Sequence, residues 1–242
     1  VVTLGCDHVP DLGLKPEMAV SSVGAGPLKV GTLMRLGPGE AQYKGNTVFR
    51  ELVSQLRVNN HDIEFCVTGR GTEADGDKWR AIGVTPILNA PDDAKAEYLR
   101  TLDVFVSPSM WEGFNLPIVE AQALGTVGIG FDVGAHPETA LHLASSMNDA
   151  ISMIEHWNSD REHLAKACER AYQYVRTQFD WDVTAEGISM HCSVLSIPLP
   201  TQNIHNPVNA NMSSQPVRGG VLKRAAQLLR REGLHGVRRV LK

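Results

Sequence analysis

The chain has 242 residues, 43% of them hydrophobic and few of them aromatic, with a formal net charge of -4. This is an ordinary soluble composition, long enough for one good core plus appendages. No run of about 18 apolar residues occurs, so no membrane-spanning helix is expected.

Val1-Val2-Thr3-Leu4 lacks Met and a basic region, so it reads as a cut in a longer chain and not as a signal peptide. Cys6, Cys66, Cys168 and Cys192 are widely spaced with no CxxC pair, which points to buried free thiols in a reducing compartment. Charge is uneven. Residues 218–242 hold eight Lys or Arg and one acid, Glu232, a net of +7 that leaves -11 on residues 1–217. An acidic body with a basic tail suggests a separate partner for the tail.

In chain order, residues 1–27 carry Pro10, Pro16 and Pro27 and read as an extended connector. Leu28 to Leu33 is the first strand. After a loop with Gly37-Pro38-Gly39 and Lys44-Gly45, a helix is expected from Asn46 to about Arg57, with Val48, Leu52 and Leu56 on one face. The strand Ile63 to Thr68 stops at Gly69-Arg70-Gly71. A polar loop containing Asp75-Gly76-Asp77, read as a helix breaker, leads to a short segment around Trp79. A strand near Val84 to Leu88 follows, then a helix from Asp92 to Arg100 with acids at its start, as the helix dipole prefers.

Val104-Phe105-Val106 is the next strand. It runs into Pro108-Ser109-Met110-Trp111-Glu112-Gly113-Phe114-Asn115-Leu116-Pro117-Ile118-Val119-Glu120. Two acids, Glu112 and Glu120, bracket a turn that enters a helix with Pro117 in its first turn. Backbone N–H groups at such a helix start, aided by the dipole, favour an anion such as a phosphate. Val127-Gly128-Ile129-Gly130 is a further strand. Met147 to Gln178 is helical in two pieces, broken at Asn158-Ser159-Asp160, and Asp182 to Leu195 reads as a last helix.

Strands apolar along most of their length alternate with helices about five times. That pattern predicts a doubly wound, Rossmann-like α/β domain over 28–178, its parallel sheet covered on both faces. A C-terminal helix over 179–196, a linker over 201–220 and a basic amphipathic helix over 221–242 complete the reading. The loops at Gly37, Gly69 and Gly113 all follow strands, so they converge on the ligand-binding edge of the sheet.

Glu112-Gly113-Phe114-Asn115-Leu116-Pro117-Ile118-Val119-Glu120-Ala121 resembles the Glu-x7-Glu motif of retaining GT-B glycosyltransferases of the glycosyltransferase 4 family (glycosyl transferases group 1). Tyr43-Lys44-Gly45, Val67-Thr68-Gly69-Arg70-Gly71, Ser107-Pro108-Ser109, Gly134-Ala135-His136-Pro137-Glu138 and Phe179-Asp180-Trp181 follow in the family's order. Leu4-Gly5-Cys6-Asp7 is similar to the end of its N-terminal domain. The likeness runs from about residue 3 to 195 and covers the C-terminal, donor-binding half of such an enzyme. The acceptor-binding half is expected to lie outside this chain, which alone is expected to be inactive.

The resemblance implies transfer of a sugar, with retention, from a nucleotide diphosphate sugar to a glycan or lipid-linked acceptor. Lys44 would reach a phosphate with Arg35 as its basic partner, and Glu112 would accept from the sugar hydroxyls; these three are the catalytic candidates. The amides around Phe114, Asn115 and Leu116 would hold the sugar or distal phosphate. Glu120 would accept from the ribose, and Gly69 and Asn89 complete the donor-binding set. The scheme requires no metal or other cofactor. His61, His136, His142, His156 and His163 show no ligand spacing, so no metal site is expected.

Two departures from the family stand out. Residues 37–42 are inserted between Arg35 and Lys44. After Glu138 the usual loop and short strand are trimmed, the chain passing directly into Ala140-Leu141-His142-Leu143-Ala144. An inactive nucleotide-sugar-binding or interaction module is therefore the alternative reading. An NAD-dependent oxidoreductase, suggested by Gly69-Arg70-Gly71, ranks below it, because Asp75-Gly76-Asp77 would break the helix that must follow. The basic tail, 218–242, reads either as a helix on an anionic membrane surface or as a connector. Without aromatic stacking residues among the charges, nucleic acid is not an expected partner. A cytoplasmic protein, peripheral at the inner membrane face, is the matching localisation.

Overall fold

The computed structural model describes residues 4–6, 8–15, 26–37, 42–58 and 62–194, with side chains to residue 190. The expected linker 201–220 and basic helix 221–242 lie outside the described residues. The chain divides into two compact units, Val9–Gln178 and a second made of Val1–His8 with Phe179–Lys242.

The larger unit carries six strands: β1 (Leu28–Leu33), β2 (Ile63–Gly69), β3 (Thr85–Leu88), β4 (Val104–Ser107), β5 (Val127–Phe131) and β6 (His142–Ala144). They form one sheet in the order β3-β2-β1-β4-β5-β6, and every pairing is parallel. Helices α1 (Asn46–Val58), α2 (Glu73–Arg80), α3 (Asp92–Thr101), α4 (Leu116–Ala123), α5 (His136–Thr139), α6 (Met147–Ser159) and α7 (Arg161–Gln178) make the crossovers and cover. The sheet is doubly wound, as the apolar strands predict. All four residues of β4 are buried, because a central parallel strand has helices on both faces. The edge strand β3 is only partly covered.

Strand order reverses between β1 and β4, where Val30 pairs with Val104 and Gly31 with Phe105. That reversal places the switch-point crevice beside the C-terminal end of β1. Gly31 admits Tyr98 from α3, since a Cβ there would sit 2.5 Å from the Tyr98 hydroxyl oxygen. The hydroxyl donates to Thr32 O at 2.9 Å and accepts from Thr32 N–H at 3.1 Å, which ties α3 to β1. Residues 9–15 lie with this unit: Lys15 is buried, donating to Leu102 O and to Thr126 Oγ1, the latter at 2.9 Å.

Two local expectations are corrected. Asp75-Gly76-Asp77 does not break a helix; α2 runs through it. Thr72 and Asp75 form a reciprocal capping box, with the Thr72 hydroxyl taking Asp75 N–H and the Asp75 carboxylate taking Thr72 N–H. Gly76 packs where a Cβ would come within 3.1 Å of Leu88 Cδ1, and Trp79 is fully buried. Thr72→Ala is expected to cost about 1 kcal/mol, read as a Tm lowered by about 2–4 °C; an unchanged Tm would remove the cap from the account.

The strand thought missing after Glu138 is present as β6, whose three residues pair with Ile129, Gly130 and Phe131. His142 in β6 meets Trp157 of α6 edge to face, with ring centroids 5.1 Å apart. Its Nε2 is buried without a hydrogen-bond partner among the described residues. Burial, aided by the Arg170 charge, lowers its pKa from 6.5 to about 4. Between those values the unfolded chain holds the proton and the folded one does not, so His142 contributes stability above pH 6.5 that is lost as pH falls toward 4. His142→Phe keeps the aromatic contact and removes the titration. Its Tm is expected to exceed that of the parent at pH 5 and to match it at pH 7.5. Parallel Tm–pH curves for the two proteins would contradict this.

In the smaller unit, α8 (Trp181–Val194) follows Phe179-Asp180. Cys6 N–H donates to Phe179 O at 3.1 Å, and Trp181 Nε1–H to His8 Nδ1 at 3.2 Å. A Cβ on Gly5 would lie 2.3 Å from Trp181 N, so only glycine fits there. Two motifs from opposite ends of the sequence therefore pack together. Cys6 and Cys168 are buried free thiols and Cys66 is a half-buried one. Among the described residues no helix is long and apolar enough to cross a membrane.

Candidate functional site

A cavity of about 710 Å³ opens at the C-terminal edge of the sheet, over the switch point. Eight of the nine residues singled out in the sequence line it: Arg35, Lys44, Gly69, Asn89, Glu112, Phe114, Asn115 and Leu116. Glu120 does not. It sits half-buried one turn into α4, outside the lining.

Each wall is set by backbone constraints. Past β1 the chain keeps pairing with the end of β2, Met34 N–H donating to Thr68 O and Leu36 N–H to Arg70 O. Gly69 permits that approach, because a Cβ on it would lie 1.7 Å from Met34 O. Asn89 adopts φ 53°, a left-handed conformation that asparagine tolerates better than most residues. Its side-chain amide grips Gly71 twice, accepting from the N–H at 3.2 Å and donating to the carbonyl at 2.9 Å. Asn89 thus shapes the Gly69-Arg70-Gly71 loop as well as lining the cavity.

Lys44 and Glu112, 68 residues apart, form a two-point ion pair, with Nζ 2.8 Å from Oε1 and 3.0 Å from Oε2. Glu112 is nearly buried and Lys44 is partly open to the cavity. Met110 N–H donates to Tyr43 O at 2.8 Å, joining the two loops that carry the pair. From the other side Ala135 N–H donates to Glu112 O at 3.0 Å. Gly134, at φ 55°, makes room for that carbonyl; a Cβ there would lie 2.2 Å from it.

Asn115 caps α4, its Oδ1 accepting from Ile118 N–H at 3.3 Å. Its Nδ2 donates to Ser107 Oγ and to His136 Nε2, the latter at 2.8 Å. His136 Nδ1 lies 2.7 Å from Phe131 O, an acceptor, so Nδ1 carries the proton and Nε2 is the acceptor that Asn115 needs. Burial pushes the His136 pKa below 6.5, against the pull of the Phe131 carbonyl and Glu112, which keeps this neutral tautomer. His136 therefore locks β4, the Glu112 loop and α4 to one another.

The Asn115 side chain is spent on this lock, so the α4 tip can offer a ligand backbone amides and not that side chain. Pro117 lacks an N–H, and Ile118 and Val119 N–H are taken by Asn115. Leu116 N–H has no acceptor within the helix and lies at the cavity wall.

Sequence reasoning overlooked Arg70 and Lys95, which also line the cavity. Lys95 pairs with Asp92 at 2.6 Å. With Arg35 and Lys44 they make four cations against the carboxylates of Glu112 and Asp92, a balance that suits an anionic ligand. Arg70 was visible as the middle residue of a Gly-x-Gly turn directly after a strand. His136 lay within the Gly134-Ala135-His136-Pro137-Glu138 motif, but nothing in that motif signalled its contacts with Ser107, Asn115 and Phe131.

The family model of glycosyl transferases group 1 matches residues 29–173. The chain belongs to this family. It is 29% identical over 175 residues to a phosphatidyl-myo-inositol mannosyltransferase of Mycolicibacterium smegmatis, a match covering 65% of this chain and 43% of that protein. It is 46% identical over 121 residues to a lipopolysaccharide core biosynthesis mannosyltransferase of Rhizobium meliloti, covering 46% of this chain and 32% of that one. The chain thus spans less than half the length of the curated relatives it matches.

Among solved structures, a glycosyltransferase of Rickettsia africae superposes with a TM-score of 0.60 at 16% identity, covering 81% of this chain and 57% of that one. The C-terminal domain of a glycosyl transferase group 1 family protein of Francisella tularensis does so with 0.53 at 22% identity, covering 71% of this chain and 96% of that domain. This group 1 glycosyltransferase chain has the doubly wound fold of the C-terminal half of GT-B enzymes.

Proposed function

We propose that the cavity binds a nucleotide diphosphate sugar and that the chain is the donor half of a hexosyltransferase acting with retention. The observation that carries the reading is the Lys44–Glu112 pair beside the α4 tip, in a cavity where cations outnumber carboxylates.

Breaking the bond between the anomeric carbon and the diphosphate leaves negative charge on the leaving group. Catalysis then depends on fixed positive charge and N–H donors aimed at that charge. Donor binding would part the ion pair. Lys44, with Arg35 and Arg70 at the same wall, turns to the diphosphate; Leu116 N–H and the positive end of α4 support it. Glu112 then accepts hydrogen bonds from the sugar hydroxyls and fixes the ring over the leaving oxygen. The scheme calls for no metal or cofactor. Glu120, half-buried one turn into α4, accepts from the ribose hydroxyls.

The two curated relatives described above are named mannosyltransferases, so a mannosyl donor is the first choice for a test. The acceptor, a glycan or lipid-linked sugar, is read by a second domain. Titration of UDP-, GDP- and ADP-sugars into the chain by calorimetry, with chelator present, tests the reading. Saturable binding of one sugar nucleotide that Lys44→Ala weakens is the expected result. No heat from any member of the panel would overturn the proposal. Binding without turnover, even with an acceptor-binding half supplied, would favour the inactive binding module.

A further inference from the structure

Away from the cavity, the sequence offers His156, Asp160 and His163 with no recognisable ligand spacing, because a helix break falls among them. The fold keeps that break and narrows it to one residue. α6 ends at Ser159, α7 begins at Arg161, and Asp160 is the single residue between them. His156 in the last turn of α6 and His163 in the first turn of α7 come edge to face, with ring centroids 4.6 Å apart. One ligand atom from each of the three side chains lies within 4.8 Å of the other two.

We propose that His156, Asp160 and His163 form a binding site for a divalent transition metal of the zinc type, which staples the α6–α7 corner.

The donor set decides the class of ion. Two imidazoles and one carboxylate suit zinc, nickel, cobalt or copper, whereas magnesium and calcium take oxygen ligands almost alone. Tetrahedral zinc with ligands at about 2.0–2.1 Å needs ligand atoms roughly 3.3 Å apart. All three side chains are exposed, so small χ rotations close the present gap. A fourth position stays open to water.

The corner is also held before any metal arrives. Asp160 N–H donates to His156 O at 2.8 Å, His163 N–H to Asp160 Oδ1 at 2.9 Å and Leu164 N–H to Asp160 O at 3.1 Å. Buried Ile154 and Trp157 anchor the helix before it, and Leu164, Ala167 and Cys168 the helix after it. Asp160 Oδ1 takes His163 N–H and still has a lone pair to offer, as does Oδ2, since a carboxylate presents about four acceptor positions. That hydrogen bond, helped by the two histidines, also holds the carboxyl below its usual pKa.

The position separates this site from the donor cavity. Arg161, next to Asp160, donates to Gly26 O at 3.2 Å and lies 3.9 Å from an Asp103 carboxylate oxygen. Those residues precede β1 and β4, at the N-terminal edge of the sheet. The cavity lies at the C-terminal edge, so the metal has a structural role there and leaves donor binding unchanged.

The test is calorimetric titration of zinc chloride, and separately magnesium chloride, into the full chain and into His156→Ala, His163→Ala and Asp160→Asn. These exposed substitutions spare the core, and Asn keeps the α7 cap. The expected result is saturable zinc binding, about tenfold or more weaker in each variant, with no magnesium heat. A Tm that rises with zinc in the parent alone is the second expected readout. Absence of zinc binding, or equal affinity in parent and variants, overturns the proposal. Neither result bears on the donor cavity.

Discussion

Replacing Lys44 with alanine is expected to slow sugar transfer by about a hundredfold to a thousandfold, equivalent to roughly 2.7–4 kcal/mol of transition-state stabilisation. The readout is kcat for transfer in a protein carrying this half together with an acceptor-binding half. kcat falls because the leaving diphosphate gains charge as the bond breaks, and kcat/KM falls further because the donor also binds less tightly. On the proposed reading Lys44 faces that charge; its ammonium is held 2.8 Å from Glu112 Oε1 and open to the cavity. Alanine also leaves Glu112, nearly buried, without its ionic partner, so a lower Tm should accompany the lost activity.

Glu112→Gln separates the two effects. It keeps the side-chain shape and releases Lys44, so donor affinity should hold or rise while kcat falls. An unchanged kcat in Lys44→Ala would remove this lysine from the chemistry. Loss of donor affinity in Glu112→Gln with kcat intact would reassign the glutamate to simple binding.

Gly45→Ala is expected to be a highly disruptive small substitution near the site. Gly45 has φ 81°, which side-chain-bearing residues rarely adopt. An added Cβ would stand 1.9 Å from Pro108 O and 2.4 Å from Pro108 C. Both obstacles are backbone, so relief requires the Lys44-Gly45 loop and the Pro108 loop to part. That movement breaks the Met110 to Tyr43 hydrogen bond and carries Lys44 away from Glu112. A cost of about 3 kcal/mol or more is expected, lowering Tm by about 6–12 °C, with weaker donor binding in whatever remains folded. A variant with the parent Tm would show that the loop yields freely and that the site is not held by this contact.

The architecture was legible because its strands are apolar on both faces and its loops are punctuated by glycine. Val104-Phe105-Val106 reads as a buried strand of a parallel sheet, which puts its following loop at the ligand edge. Motif order put Lys44 and Glu112 in one site, yet nothing in their spacing foretold a direct ion pair. What escaped the sequence was decided by tertiary partners. Gly76 looked like a breaker until Thr72 and Asp75 capped the helix around it. The three-residue β6 is too short to show a period, and only Ile129, Gly130 and Phe131 make it a strand. His136 gains its place from Ser107, Asn115 and Phe131, contacts that the motifs' spacing does not show. Glu120, selected by motif spacing, sits half-buried one turn into α4 and is not among the lining residues.

A crystal structure of the chain with a nucleotide diphosphate, or with its sugar nucleotide, examines the central claim most directly. The expected result is a diphosphate in the cavity within hydrogen-bonding distance of Lys44 Nζ and Leu116 N, with the Lys44–Glu112 pair opened. A nucleotide bound elsewhere, or one in the cavity that leaves the Lys44–Glu112 pair closed and the α4 tip untouched, would contradict it.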